Sequence, residues 1–408
     1  MAETFEAATG AGRRLPLVLV VLVVVAVAVV AKLAGPTPGA ELTLAETSPP
    51  RTATTAPEPS PATVRPHDRS EGTWDRLPPA PIPGRTRHTA TWTGTEMLIF
   101  GGQPDPGLAH GARYDPTTRQ WHPMAPAPIG SRVGHTAVWT GQELIIFEGA
   151  PIGQAAAAAA QDIDGAAYDP ESDTWRQIAP APINPRTGHA AVWTGKEMVV
   201  FGGSRTLRFG ASVALYDPAA DTWRMSSESP LDWAFGLVAA VWTGTKVVIW
   251  SGTGPADVAA YDPEADTWEL LPGSPVGMRS ASALWTGQEM VLLGLPEGDR
   301  SAIGGAALDL AEQRWTVLPP SPQVFAATYQ AVWTGDQAIV LGGPGQNLGS
   351  VWSPGLGHWS ELPGAPQSAL SGHAAVWTGE EVLLWGGQGE EGTLASGLVF
   401  NLSPPGGG

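Results

Sequence analysis

Short apolar runs recur along most of the chain, and each run is bounded by glycine, proline or aspartate. Between Gly188 and Ser226 the runs HAAVW, EMVVFGG, VALYDP and DTWRM follow one another, with a Thr-Gly turn, a glycine pair and an Asp-Pro turn at their ends. Runs of this length and composition are typical of β-strands. They leave no room for crossover helices, so the pattern predicts a four-stranded antiparallel sheet.

Two tryptophan markers show how often this unit repeats. The tripeptide Trp-Thr-Gly occurs seven times, 43 to 54 residues apart, beginning at Trp92, Trp139, Trp193, Trp242, Trp285, Trp333 and Trp377. This period is typical of a four-stranded propeller blade. A second tryptophan, on the predicted outer strand, recurs at Trp74, Trp121, Trp175, Trp223, Trp268, Trp315 and Trp359.

The order of the markers predicts how the ring closes. Trp74 precedes the first Trp-Thr-Gly, whereas the last copy, Trp377 to Asn401, has no outer tryptophan. The segment around Trp74 is therefore predicted to supply the fourth strand of the last blade, which removes the free edges of the ring. The sequence predicts an all-β, seven-bladed β-propeller over residues 73–403 and a flexible tail at 404–408.

The repeat resembles the Kelch repeat. One copy carries Arg186, His189, Gly202, Gly203, Tyr216, Asp217, Pro218 and Trp223 at the spacing of that family. The unit is most similar to bacterial Kelch variants with His-x-x-x-Trp-Thr-Gly, and the resemblance covers roughly residues 73–403. It implies a Kelch-type propeller.

The N-terminal region has a different composition. Residues 15–34 are almost entirely apolar and follow Arg13 and Arg14. At a rise of ~1.5 Å per residue this run spans a hydrocarbon core of about 30 Å, so it is predicted to be a single transmembrane anchor. The alternative is a cleaved signal peptide, with Ala26-Val27-Ala28 as a passable cleavage site.

Charge and composition predict how the N-terminal segments are arranged. The arginine pair indicates that residues 1–14 form a cytoplasmic tail, by the positive-inside rule. Residues 35–72 are rich in proline, threonine and alanine, so they are predicted to be a disordered linker. The propeller would then lie on the extracytoplasmic side of the cell membrane.

Net charge and cysteine content exclude several functions. The formal net charge of −17, from 22 Lys and Arg against 39 Asp and Glu, argues against nucleic-acid binding. The chain has no cysteine, which excludes thiolate metal sites, a cysteine nucleophile and the Cys–Tyr cross-link of propellers similar to galactose oxidase. The histidines before each Trp-Thr-Gly come from different blades, so no metal site and no cofactor is predicted.

Candidate ligand-binding residues gather in the connections from strand d to the next strand a and from strand b to strand c, which emerge on one side of a propeller. They are Arg85, Arg132, Arg186, Arg279, Trp233 and Tyr329. Guanidinium and aromatic groups bind carboxylates, acidic peptides or sugars. The alternative is structural: such side chains also hydrogen-bond to neighbouring loop carbonyls.

These observations favour a membrane-tethered, extracytoplasmic module that binds a protein, a glycan or a small anion without catalysis. No catalytic residue is assigned. Two alternatives stay open: a carbohydrate-active enzyme of Kelch type, similar to a sialic-acid mutarotase, and a purely structural envelope protein.

Overall fold

The computed structural model describes residues 72–402 except for ten short segments: 104–110, 153–164, 205–212, 232–237, 253–256, 297–301, 324–327, 344–347, 368–370 and 391. The predicted cytoplasmic tail, the predicted membrane anchor and all but the last residue of the predicted linker lie outside the described residues. Within the described part, no helix has the length and apolar character needed to cross a membrane.

Seven four-stranded antiparallel sheets, here called blades 1 to 7, make up most of the described part of the chain. Strands a, b, c and d are Thr89–Trp92, Met97–Phe100, Ala112–Asp115 and Gln120–Pro123 in blade 1; Thr136–Trp139, Leu144–Phe147, Gly165–Asp169 and Thr174–Gln177 in blade 2; Thr187–Trp193, Met198–Ser204, Ala214–Asp217 and Thr222–Met225 in blade 3. They are Ala239–Trp242, Val247–Trp250, Val258–Asp262 and Thr267–Leu270 in blade 4; Met278–Trp285, Glu289–Pro296, Gly304–Asp309 and Arg314–Leu318 in blade 5; Gln330–Trp333, Ala338–Leu341, Gly349–Ser353 and His358–Glu361 in blade 6; Ala374–Trp377, Glu381–Trp385, Gly397–Leu402 and Gly72–Arg76 in blade 7.

Two short ladders lie outside the blades. They pair Arg132–Val133 with Ala150–Pro151 and Gln388–Gly389 with Gly392–Thr393. The first joins the residues before strand a to those after strand b in blade 2, and the second is a hairpin inside the b–c connection of blade 7.

The hydrophobic core lies between neighbouring blades. Strand b is buried along its whole length in blade 1, because its two faces contact the sheets on either side. Blades 3 and 4 share one such cluster, formed by Val199, Phe201, Val213, Leu215, Val247, Ile249 and Tyr261. Burying a side chain of this size stabilises the fold by roughly 1.5–3 kcal/mol, so each blade depends on its neighbours.

The N-terminal strand completes the last blade, as the marker tryptophans predict. Gly72–Arg76 pairs antiparallel with Gly397–Leu402, and Trp74 lies opposite Phe400. The inner strands then contact one another in a closed order of seven. The predicted all-β, seven-bladed propeller is confirmed.

The outer tryptophans join each blade to the one before it. Each indole Nε1 donates a hydrogen bond of 2.7–3.2 Å to a backbone carbonyl of the preceding blade: Trp74 to Pro363, Trp121 to Pro78, Trp175 to Ala125, Trp223 to Ala179, Trp268 to Ser227, Trp315 to Pro272 and Trp359 to Pro319. In six of the seven blades the same indole also packs on the aromatic residue opposite it in strand c of its own blade, so this position serves contacts both between and within blades.

Candidate functional site

Antiparallel strand order gives the propeller two different faces. The turns from strand a to b and from c to d emerge on one side, called here the turn face. The connections from b to c and from d to the next a emerge on the other, called here the loop face. The five predicted ligand-binding residues that the structure describes lie towards the loop face: Arg85, Arg132, Arg186, Arg279 and Tyr329.

Three predicted arginines, Arg85, Arg132 and Arg186, repeat one buried arrangement at the base of the loop face, called here the arginine belt. In Arg132, Nε donates to the Gly130 carbonyl at 3.1 Å and a terminal nitrogen donates to the Glu148 carbonyl at 2.9 Å. The guanidinium thus joins the start of strand a to the end of strand b in its own blade.

The other two members of the belt make the same contacts. Arg85 donates to the carbonyls of Pro83 and Gly101, and Arg186 donates to those of Asn184 and Gly202. Their exposed fractions are only 2% and 3%, against 6% for Arg132. The three charges therefore lie beneath the loop face, and the structure shows the carbonyl contacts that the structural alternative expects.

The backbone of the belt also connects neighbouring blades. The carbonyl of Arg132 accepts a hydrogen bond of 3.0 Å from the Gly102 amide of blade 1, and the carbonyl of Arg186 accepts one of 3.1 Å from the Gly149 amide of blade 2. The Arg85 carbonyl does the same for Gly387 of blade 7 at 2.8 Å. Blades 7, 1, 2 and 3 are thereby joined in series under the loop face.

Histidines three residues after the belt arginines pack on the preceding blade. His88 Nε2 donates to the Trp385 carbonyl at 3.1 Å, and the imidazole of His135 lies edge-on to Phe100. Burial, assisted by the adjacent arginine charge, lowers the pKa of His88 and of His135 to about 3. These rings are neutral at physiological pH, and they pack between neighbouring blades.

The glycine pair at the end of strand b makes room for these rings. In Gly101 a Cβ atom would collide with His135 of the next blade, and φ is +71°, a value that favours glycine. The Kelch-like glycine pair and the histidine therefore belong to one contact between blades. Among the described residues, no cluster of three or more His, Asp or Glu has the geometry to hold a metal.

The remaining predicted ligand-binding residues have different positions. Tyr329 of blade 6 occupies the position of the histidine and is buried, and its hydroxyl donates to the Leu293 carbonyl of blade 5 at 2.6 Å. Arg279 lies on strand a of blade 5, where only its backbone is described. Trp233 lies outside the described residues. A ligand contact by any of the six stays a prediction.

Glu148, next to the belt, stands at the end of strand b in blade 2, where blade 3 has the first glycine of its pair, Gly202. It is buried, and its φ of +54° is unusual for a side-chain-bearing residue. Its carboxylate accepts a hydrogen bond of 3.3 Å from the Arg186 amide of blade 3. This partner lies 38 residues further along the chain, so the spacing within one repeat does not reveal the contact.

The turn face carries ion pairs that the sequence analysis did not predict. Arg224 on strand d of blade 3 binds both carboxylate oxygens of Glu197 at 2.8 Å and reaches the Pro263 carbonyl of blade 4, also at 2.8 Å. In blade 2, Arg176 binds Glu143 in the same way. These clamps join a turn of one blade to the c–d turn of the next.

Blade 4 has the same pair with its charges exchanged. Lys246 occupies the position of Glu197, Glu269 occupies the position of Arg224, and their side chains lie 2.7 Å apart. This reversal is visible in the sequence, since TGKE and TWRM in blade 3 become TGTK and TWEL in blade 4. Such a paired exchange indicates that the two positions act together.

A closed ring of seven four-stranded sheets defines the class as a seven-bladed β-propeller. The family model described as the KLHDC2/KLHL20/DRC7 Kelch-repeats domain matches residues 67–232 and 134–343. The chain therefore belongs to the Kelch-repeat family.

Other comparisons add only the fold. No curated protein gives a significant match. Among solved structures, a fungal alcohol oxidase of the AA5 family in complex with copper has a TM-score of 0.63 and 13% identity, over 81% of this chain and 76% of that chain. At this identity the likeness establishes a shared architecture and nothing about chemistry.

Proposed function

We propose that this chain is a non-catalytic protein-binding scaffold that presents the loop face to an acidic segment of a partner. The arginine belt carries the proposal. It fixes the start of strand a and the end of strand b in blades 1 to 3, so the connections that follow leave from rigid positions. Variable connections on a rigid base are the usual place for binding in a repeat protein.

Electrostatics supports an acidic partner. The chain is acidic overall, but three guanidinium groups lie just beneath the loop face. Arginine keeps its charge in proteins, and a buried charge is screened by salt less than an exposed one. These three groups add positive charge at the base of this face, partly offset by the Glu148 carboxylate beside Arg186.

Exchange of one loop tests this proposal. Residues 205–212 of the b–c connection in blade 3, which carry Arg205 and Arg208, are replaced by a Gly-Ser segment of equal length in the full-length chain. The matched control replaces Thr117 and Thr118 of a turn-face turn by glycine. On an array of acidic peptides we expect binding by the parent and the control, and loss with the exchanged loop. Binding that survives the exchange, or no binding by the parent, contradicts the proposal.

The same proposal places the propeller outside the cell membrane, held by the apolar run at 15–34. A reporter enzyme active only after export, fused after residue 408, is expected to be active, and deletion of residues 15–34 is expected to abolish its activity. The mass of the mature chain then distinguishes a retained anchor from a cleaved signal peptide. An inactive reporter in the parent fusion contradicts this location.

A further inference from the structure

A cleft with a volume of about 690 Å³ opens on the turn face between blades 3 and 4. One wall is the a–b turn of blade 3 together with Arg224, and the other is formed by the a–b and c–d turns of blade 4. Cavities of this size hold small ligands or a few side chains of a partner. It lies on the opposite side of the ring from the arginine belt, so it is separate from the surface of the proposed function.

Acidic groups outnumber basic ones around this cleft. Its lining contains four carboxylates and two cationic side chains: Glu197, Asp262, Glu264 and Asp266 against Lys196 and Arg224. Arg224 is neutralised by its two-pronged contact with Glu197. An excess of negative charge therefore remains on the wall formed by blade 4.

The fold holds two of these carboxylates in fixed positions. One oxygen of Asp266 accepts the Tyr261 hydroxyl at 2.7 Å and the Ser227 amide at 2.8 Å. The Ser227 amide is the main reason why the pKa of Asp266 lies below its usual value, which keeps the carboxylate ionised. One oxygen of Asp262 accepts the amides of Glu264 and Ala265, both at 3.0 Å.

An aromatic side chain completes the cleft. The half-buried indole of Trp242 belongs to its lining. An indole face attracts cations, and carboxylates beside it add to this attraction. We propose that the cleft is a docking site for a lysine or arginine side chain of a basic segment in a partner protein, with Glu264 and Asp266 as the anionic contacts and Trp242 as the platform.

Substitution of Lys196 is expected to change the affinity for a basic peptide in the opposite direction to substitution of Glu264. This exposed ammonium lies on the blade 3 wall and repels an incoming cation. Its removal should therefore strengthen binding, whereas removal of Glu264 should weaken it. If the cleft binds no cation, neither substitution should change the affinity for a basic peptide.

Fluorescence anisotropy with a labelled hexalysine peptide tests the site on the full-length chain. Glu264→Gln is expected to raise the dissociation constant about two- to fivefold, as for exposed charge pairs. Lys196→Gln is expected to lower it by a similar factor. Glu171→Gln is the matched control, because Glu171 holds the same position in the Asp-Pro-Glu turn of blade 2. It should leave the affinity unchanged.

Equal weakening by Glu171→Gln and Glu264→Gln overturns the proposal, because it shows a general attraction of the acidic surface. Absence of hexalysine binding at millimolar peptide also overturns it. Thermal unfolding of each variant checks that the propeller is intact. The acidic-peptide array addresses the other face, so either proposal can fail while the other stands.

Discussion

Blades 1 to 3 and blades 4 to 6 have the same strand order but are joined by different chemistry at the loop face. In the first group an arginine and a histidine bind backbone carbonyls at the end of a strand b. In the second group the histidine position holds Val238, Ala281 and Tyr329. Only Tyr329 among these can donate, and it reaches an equivalent carbonyl, that of Leu293. The acceptor at the end of strand b is thus the constant feature, and the donor varies.

Named for the described side chains at the histidine position, blades 7, 1, 2 and 3 are called here the polar half, with imidazoles, and blades 4 to 6 the apolar half, with Val238, Ala281 and the ring of Tyr329. Blades 7, 1, 2 and 3 are joined by buried hydrogen bonds that depend on charge and protonation. The two halves should therefore respond differently to acid and to substitution.

Acid is expected to have the largest effect, and to act through the polar half. Burial lowers the pKa of His88, His135 and His189 from 6.5 to about 3, and that of His373 to about 4. The unfolded chain binds protons near pH 6.5 whereas the folded chain does not. Stability is therefore complete above pH 6.5 and is lost as the pH falls towards 3, by up to roughly 1.4 kcal/mol per pH unit for each histidine.

Urea unfolding followed by tryptophan fluorescence between neutral pH and about pH 5 measures this slope. His189→Val gives blade 3 the residue that blade 4 carries at Val238, and it should reduce the slope by the share of one histidine. The same slope in the parent and in the variant would show that this imidazole is not the source.

Arg132→Met is expected to have the next largest effect. Blade 5 carries Met278 at the equivalent position, so the substitution gives the polar half the chemistry of the apolar half. The carbonyls of Gly130 and Glu148 then lose their donor in a buried place, which should lower the free energy of unfolding by roughly 2–4 kcal/mol. Arg314→Met is the control, because that side chain is 70% exposed and should change stability little. Equal effects would contradict a structural role for the belt.

Tyr329→Phe tests the side-chain donor that the structure describes at the histidine position of blades 4 to 6. It removes the hydroxyl that donates to Leu293 and keeps the ring, so a loss of about 1–2 kcal/mol is expected. Tyr329→His, which introduces the residue of blades 1 to 3, should retain part of this stability. Chemical denaturation at neutral pH measures both, and an unchanged midpoint for the phenylalanine variant would refute the interpretation.

The turn-face clamps give the smallest expected effect. Glu197→Lys and Arg224→Glu should each cost about 1 kcal/mol or less, because the arginine side chain is 38% exposed and solvent screens the pair. The double variant reproduces the order found in Lys246–Glu269 and should recover at least half of the combined loss. Strict additivity in this double-mutant cycle would mean that the two side chains act independently.

The architecture could be predicted from sequence because its markers are local and repeat seven times. Trp74 is the clearest case: a tryptophan too early in the chain and a last repeat without one together predict strand exchange, and the structure confirms it. The Kelch resemblance rests on the same short-range spacing, and the family match supports it.

Side-chain partners could not be predicted in the same way. The spacing of Arg186 and His189 does not show that the guanidinium turns back to Gly202, and both alternatives were compatible with it. The turns of the turn face look alike in sequence, but Arg224 joins residues 27 and 39 positions away in the chain. Contacts of this length depend on how neighbouring blades are placed, which no single repeat encodes.

The exchanged strand has a mechanical consequence. Gly72 and Leu402 lie opposite each other at one end of the pairing between the first and last strands of the ring. Tension between the two chain ends would therefore separate that pairing one residue at a time, starting from Gly72, before any other blade is loaded. The pairing that closes the ring is therefore the part expected to separate first under tension. The hydrogen bond from Trp74 to the Pro363 carbonyl opposes this separation.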